Sequence, residues 1–204
     1  MNTFSIATWN VNSLRVRLPQ LAEWLTAVQP DIVALQETKL PDADFPAAEI
    51  QALGYQVTYS GQRTYNGVAV LSRAPLTPIA TDIPGFVDEQ RRVLAVETQG
   101  CIVVDLYVPN GQEPGSDKYA YKLRWLEALR GWLVELHKLG RPLIVLGDFN
   151  IAPEDRDVHD PIAWQGSVHV SEPERHAFAR LLETGLVDVF RRFEQAPQTY
   201  SWWD

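Results

Sequence analysis

The stretch that most constrains this chain is LIVLGDFN, residues 143–150. Large apolar residues give way at once to a glycine and two polar groups. β-branched residues, the short length and prolines on either side (Pro142, Pro153) favour a strand over a helix. A run this apolar is expected to be buried on both faces and central in its sheet. Side chains alternate along a strand, so Asp148 and Asn150 are expected to point one way and Phe149 the other. A carboxylate and a carboxamide would then project together from a strand end, where α/β proteins usually place their sites. The plainer reading is a turn, which Asp and Asn commonly start.

The rest of the chain supplies the frame for that strand. A strand is expected over 4–10 and an amphipathic helix from Leu14 that stops before Pro30. A second buried strand over 32–36 has Glu37 at its end. A short helix follows over 46–53, then a hairpin of 55–59 with 68–72, whose loop holds Arg63, Tyr65 and an Asn-Gly pair. Two more strands, 93–98 and 102–108, flank Gln99-Gly100, and the longest helix spans 118–139. Residues 151–170 read as a long polar loop, and 173–184 as a helix. Alternating strands and helices followed by hairpins argue a mixed α/β layered sandwich, not a simple doubly wound sheet. At 204 residues the chain is expected to form a single domain, 1–204.

Composition closes some options and leaves others open. Hydrophobic residues at 46% exclude a disordered chain. No stretch approaches the roughly 20 apolar residues of a membrane span, and no secretory signal opens the sequence. The single cysteine, Cys101, lies in the apolar run CIVVDLYV and is expected to be buried; a cytoplasmic location fits. The net charge of −8 counts against nucleic acid as a partner. Binding depends, however, on where charges lie, and carboxylate-bound metal would offset them locally.

Four residues share one design. Asn10 ends the first strand, Glu37 the second, and Asp148 with Asn150 the LIVLGDFN strand. If those strands are neighbours, two carboxylates and two carboxamides meet on one rim. Such oxygen ligands suit Mg²⁺, or Mn²⁺, and the chemistry indicated is metal-assisted hydrolysis of a phosphate ester. Each residue also has a plainer reading: Glu37 as a solvated loop residue, Asn10 as a turn cap, and Tyr107 as a half-buried core aromatic.

The combination is more specific than its parts. TWNVNSLR, DIVALQETK, YNGVAVLSR, DLYVPNG and LIVLGDFNIAP, in that order, with QRRV at 90–93 and a terminal SWW, resemble the exonuclease III-type apurinic/apyrimidinic endonucleases. These belong to the wider endonuclease/exonuclease/phosphatase fold, and the resemblance covers 4–203. It implies two packed mixed β-sheets flanked by helices, and a Mg²⁺-dependent, monomeric DNA-repair nuclease. Such an enzyme would hydrolyse duplex DNA 5′ to abasic sites and from 3′ ends. Glu37 resembles the family's metal-binding glutamate and Asn10 the asparagine beside it. Tyr107 resembles the tyrosine on the scissile phosphate, Asp148 the aspartate that moves protons, and Asn150 the residue that orients it. Arg63, Tyr65, Arg91, Arg92 and Asn110 fall in loops that face DNA, and Trp202 resembles the wall of the abasic-sugar pocket. The family continues past SWW with an Arg-Ile-Asp strand and a Ser-Asp-His motif. This sequence stops at Asp204, and its histidines (His137, His159, His169, His176) lie elsewhere. The resemblance therefore implies missing C-terminal strands and a fragment of a longer protein. A non-catalytic DNA- or partner-binding chain, and a phosphatase of the same fold, are the alternatives.

Overall fold

The computed structural model describes residues 3–201. The chain divides into two compact units, Met1–Tyr107 with Arg141–Phe149, and Val108–Gly140 with Asn150–Asp204.

The first unit is a layered α/β sandwich. One mixed sheet has the order β1 (Ile6–Asn10), β2 (Ile32–Gln36), β4 (Val68–Ser72), β3 (Gln56–Ser60), with β1 and β2 parallel and the other pairs antiparallel. The other has β5 (Thr77–Ala80), β6 (Val93–Thr98), β7 (Cys101–Tyr107) and β8 (Leu143–Asp148), with β7 and β8 parallel. All positions of β2 and β4 are buried because these strands are covered on both faces. Val33, Leu35, Ala69 and Leu71 join Leu21 and Leu25 of α1 (Leu14–Val28) and Ile50 of α2 (Ala47–Ala52). The alternate residues Ile32, Val68 and Val70 turn the other way and meet Leu94, Val96, Cys101 and Val103 of the second sheet. Each such Val, Leu or Ile contributes about 1.5–3 kcal/mol relative to exposure.

Three expectations change. β8 is not central and not buried on both faces: it is an edge strand, half-buried along its whole length. It pairs with β7 on one side, and no strand among the described residues pairs on the other. β1 is the corresponding edge of the first sheet. The strand itself also stops short of the expected length: β8 ends at Asp148, and Asn150 lies beyond it at φ 49°. Finally, β5 escaped the sequence pattern. It is mostly exposed, carries Pro78 and shifts register between Pro78 and Ala80, features an edge strand tolerates.

Two glycines of the second sheet answer to different features of its geometry. Gln99 and Gly100, at φ 54° and 77°, form the two-residue turn that joins β6 to β7. Gly147 sits at φ 131°, where a Cβ would lie 2.0 Å from the Leu106 carbonyl oxygen on the paired strand. The glycine before Asp148 therefore lets β8 run against β7 up to its last residue.

In the second unit, α3 (Asp117–His137) packs with α4 (Glu172–Leu182). The Ser116 hydroxyl accepts from the Tyr119 N–H to start α3, and Ser171 with Glu174 forms a capping box at α4. The long loop before α4 builds its own small core from Ala152, Val158 and Val170, with Trp164 against it. No described helix is long and apolar enough to cross a membrane.

Candidate active site

The parallel pairing of β1 and β2 sets Asn10 opposite Gln36, and that of β7 and β8 sets Tyr107 opposite Asp148. Strand ends of both sheets thus present Asn10, Glu37, Tyr107 and Asp148 together in the first unit. Asn10 is the hinge of the group. Its Nδ2 donates to Glu37 Oε1 at 2.8 Å and to Asp148 Oδ2 at 2.8 Å. Its Oδ1 accepts from the Asn12 N–H at 3.0 Å, which fixes how the amide is turned. One neutral amide thus holds two carboxylates side by side.

The electrostatics follow from this packing. Burial pushes the Glu37 carboxyl up, but hydrogen bonds from Asn10 and Lys39, the Lys39 charge and the Tyr107 hydroxyl together hold it below its usual range. Glu37 is therefore ionised at neutral pH. The Tyr107 phenol is pushed up to about 12, first by burial and then by the charge of Glu37, against the opposing charge of Arg92. It remains a protonated donor, hydrogen-bonded to Glu37. Lys39 Nζ stands 2.9 Å from Glu37 Oε2 and 2.5 Å from Asn12 Oδ1, so a cation already favours this carboxylate.

Two adjacent carboxylates at strand ends, one of them with its ionised form stabilised, fit a hard divalent cation, which commonly uses one or two protein carboxylates and keeps several waters. Glu37 and Asp148 are the residues that would hold it. Asn10 turns its N–H₂, not its oxygen, toward them.

Candidate DNA-contact residues differ in their surroundings. Arg63 and Tyr65 are exposed, Tyr65 at 66%. Arg91 pairs with Asp82 at 3.1 Å. Arg92 is turned inward: it lies 4.6 Å from the centre of the Tyr107 ring, and donates to the Tyr107 carbonyl at 3.1 Å and to Gln90 Oε1 at 2.8 Å. It braces Tyr107 at both its ring and its main chain. Trp202 lies outside the described residues.

Asn150 and Asn110 belong to the second unit. Asn150 Nδ2 donates to the Val108 carbonyl at 3.0 Å, and Lys122 Nζ donates to the Asn150 carbonyl at 2.6 Å. Asn110 Nδ2 lies 3.0 Å from His169 Nε2. The imidazole is buried and its pKa is lowered to about 4, by burial first and then by the Lys122 charge, so it is neutral and accepts from Asn110.

The sequence reading missed Lys39, Lys122 with Glu174, and the bracing role of Arg92. Lys122 left a signal. It sits three residues after Tyr119 and three before Trp125, the one charged position on the buried stripe of α3. Lys39, two residues after Glu37, left none that separates it from a surface lysine.

Comparison with known proteins places these residues in context. The Endonuclease/Exonuclease/phosphatase family profile matches residues 7–204. An exodeoxyribonuclease of Bacillus subtilis is 34% identical, over 97% of this chain and 79% of its own length. A 3′-5′ exonuclease from Neisseria meningitidis superposes with TM-score 0.91 at 42% identity, covering 98% of this chain and 78% of that one. An AP endonuclease from Archaeoglobus fulgidus superposes with TM-score 0.90 at 37% identity, covering 93% and 74%. On the strength of this match and of the sandwich described above, the chain belongs to the endonuclease/exonuclease/phosphatase family.

Proposed function

We propose that the protein is a divalent-metal-dependent DNA-repair nuclease that hydrolyses phosphodiesters 5′ to abasic sites and from 3′ ends of duplex DNA. The observation that carries this reading is the Asn10 amide joining the Glu37 and Asp148 carboxylates, with the Tyr107 hydroxyl on Glu37. The names of the relatives, exodeoxyribonuclease and AP endonuclease, agree with it.

When bound, Mg²⁺ (or Mn²⁺) would offset the charge that develops on the phosphoryl oxygens. Asp148, oriented by Asn10, accepts the proton of the attacking water as the oxygen–phosphorus bond forms. The ester bond to the leaving oxygen breaks, and that oxygen takes the proton from Asp148. Tyr107 keeps its proton and turns its hydroxyl from Glu37 to the scissile phosphate as substrate arrives, with Arg92 holding its ring. Asn150 is assigned to the same reaction from the GDFN motif. Arg63 and Tyr65, exposed on the loop between β3 and β4, are proposed to meet the duplex. A monomer acting in the cytoplasm accords with this reading.

The test is a duplex carrying one abasic site, incubated with the 204-residue chain in Mg²⁺ or in EDTA. Metal-dependent incision 5′ to the site is the expected result. An intact duplex alongside hydrolysis of a small phosphomonoester would move the assignment to a phosphatase. A duplex that is bound but left uncut would move it to a non-catalytic binding chain.

A further inference from the structure

Lys122 is fully buried on α3, a placement that ordinary lysines avoid. Its Nζ donates to Glu174 Oε1 at 2.5 Å, to the Asn110 carbonyl at 3.1 Å and to the Asn150 carbonyl at 2.6 Å. Glu174, equally buried, uses Oε2 to accept from the Ser171 hydroxyl at 2.5 Å, and that hydroxyl lies 2.5 Å from the Tyr119 hydroxyl. A buried polar chain thus runs Tyr119, Ser171, Glu174, Lys122 and ends on two main-chain carbonyls.

Stability does not account for this arrangement. A buried ion pair can commonly be replaced by apolar side chains at little or no loss. What an apolar side chain cannot do is donate to a carbonyl. The two carbonyls are those of Asn110, in the loop after β7, and Asn150, in the loop after β8. Asn150 holds φ 49°, a region non-glycine residues enter sparingly, and its side chain is tied to the Val108 carbonyl. Lys122 fixes the main-chain end of the same residue, so that Asn150 is clamped at both ends.

We propose that Lys122, anchored by Glu174, is a positioning residue: it locks the backbone of Asn150, and through it the carboxamide that the nuclease reading assigns to the reaction. The inference deepens that reading and rests on it. A displacement of about 1 Å at a reacting group can cost about 10²-fold in rate, so the predicted signature is a loss in kcat rather than in substrate binding.

The test compares the wild-type chain with Lys122→Met and with the double variant Lys122→Met/Glu174→Met. The double variant leaves no uncompensated buried charge and guards against a misfolded single variant. Two readouts are taken at a temperature where circular dichroism finds each protein folded: the ¹H–¹⁵N signals of the Asn150 main chain and carboxamide, and the kcat and KM for an abasic duplex with Mg²⁺. The expected result is a shift or broadening of both Asn150 signals and a kcat lower by roughly 10- to 100-fold, with KM within about threefold. Unmoved Asn150 signals in the folded double variant, wild-type kcat, or a change confined to KM would each overturn the proposal. A wild-type chain that does not cut would overturn the nuclease reading instead, while the Asn150 signals still decide whether Lys122 holds that residue.

Discussion

Asp148 and Tyr107 show how the local environment sets the role of each side chain. Asp148→Asn keeps a hydrogen-bonding partner for Asn10 and removes the proton acceptor proposed above. It is expected to lower duplex cleavage by about 10²–10⁴-fold with the melting temperature little changed, as checked by single-turnover kinetics and calorimetry. Tyr107→Phe removes a donor to a charged partner, a contact typically worth about 1.5–3 kcal/mol, so cleavage is expected to fall by roughly tenfold or more. Because the phenol is pushed up to about 12, it stays protonated from pH 6 to 10, and its removal is expected to shift the rate without removing a limb from the pH profile. A limb near pH 7–9 that vanishes in Tyr107→Phe would contradict this. The same shift affects stability. With the folded value above the ordinary 10, the folded state keeps its proton longer, so the contribution of Tyr107 is complete below pH 10 and is lost as pH rises toward 12.

Elements place these residues, and β8 carries the tightest constraint. Its glycine approaches β7 so closely that Gly147→Ala would drive a Cβ into the Leu106 carbonyl at 2.0 Å, at a φ of 131° that L-residues rarely adopt. The expected outcome is a loss of about 2–4 kcal/mol in urea unfolding together with loss of cleavage, since Asp148 is the next residue. Gly100→Ala, in a turn where a Cβ meets nothing within 4 Å, is expected to cost only about 1 kcal/mol and to leave cleavage intact. The contrast separates close approach from conformational freedom. Elements were also where the pattern in the sequence was most readable. Continuous apolar runs located β2, β4, β6 and β7 almost to the residue, because strands covered on both faces are apolar at nearly every position. They failed at β5, whose exposed residues and Pro78 bear no such imprint.

At the scale of the molecule, acid response and salt response follow from the charges. His169 is neutral in the fold and has a pKa near 4 against an ordinary 6.5. Between those values the unfolded chain binds the extra proton, so stability is complete above pH 6.5 and declines as pH falls toward 4, by up to about 3 kcal/mol from this group. His169→Gln is expected to flatten that decline in urea titrations at pH 4–7. With a net charge of −8, the DNA affinity that the proposed nuclease function requires would come from local basic groups and from the metal proposed to bind. Affinity for duplex is expected to fall with salt, and Arg63→Ala, if that side chain meets a phosphate, to reduce the slope by about one. An unchanged slope would remove Arg63 from the interface.

The division between sequence and tertiary structure is physical. Apolar periodicity, glycine and proline placement and the ordered motifs determined most of the strands, the helices, and Asn10, Glu37, Tyr107 and Asp148 as strand-end residues, since these are properties of neighbours along the chain. Only the tertiary structure decided that the Asn10 amide joins two carboxylates, that Lys39 attends Glu37, that Arg92 braces Tyr107 instead of lying open, and that Lys122 grips Asn150. Those pairings link residues from 2 to 138 positions apart. Their energies come from burial and from charges held at hydrogen-bond distance, and no local pattern encodes which distant partner a side chain will meet.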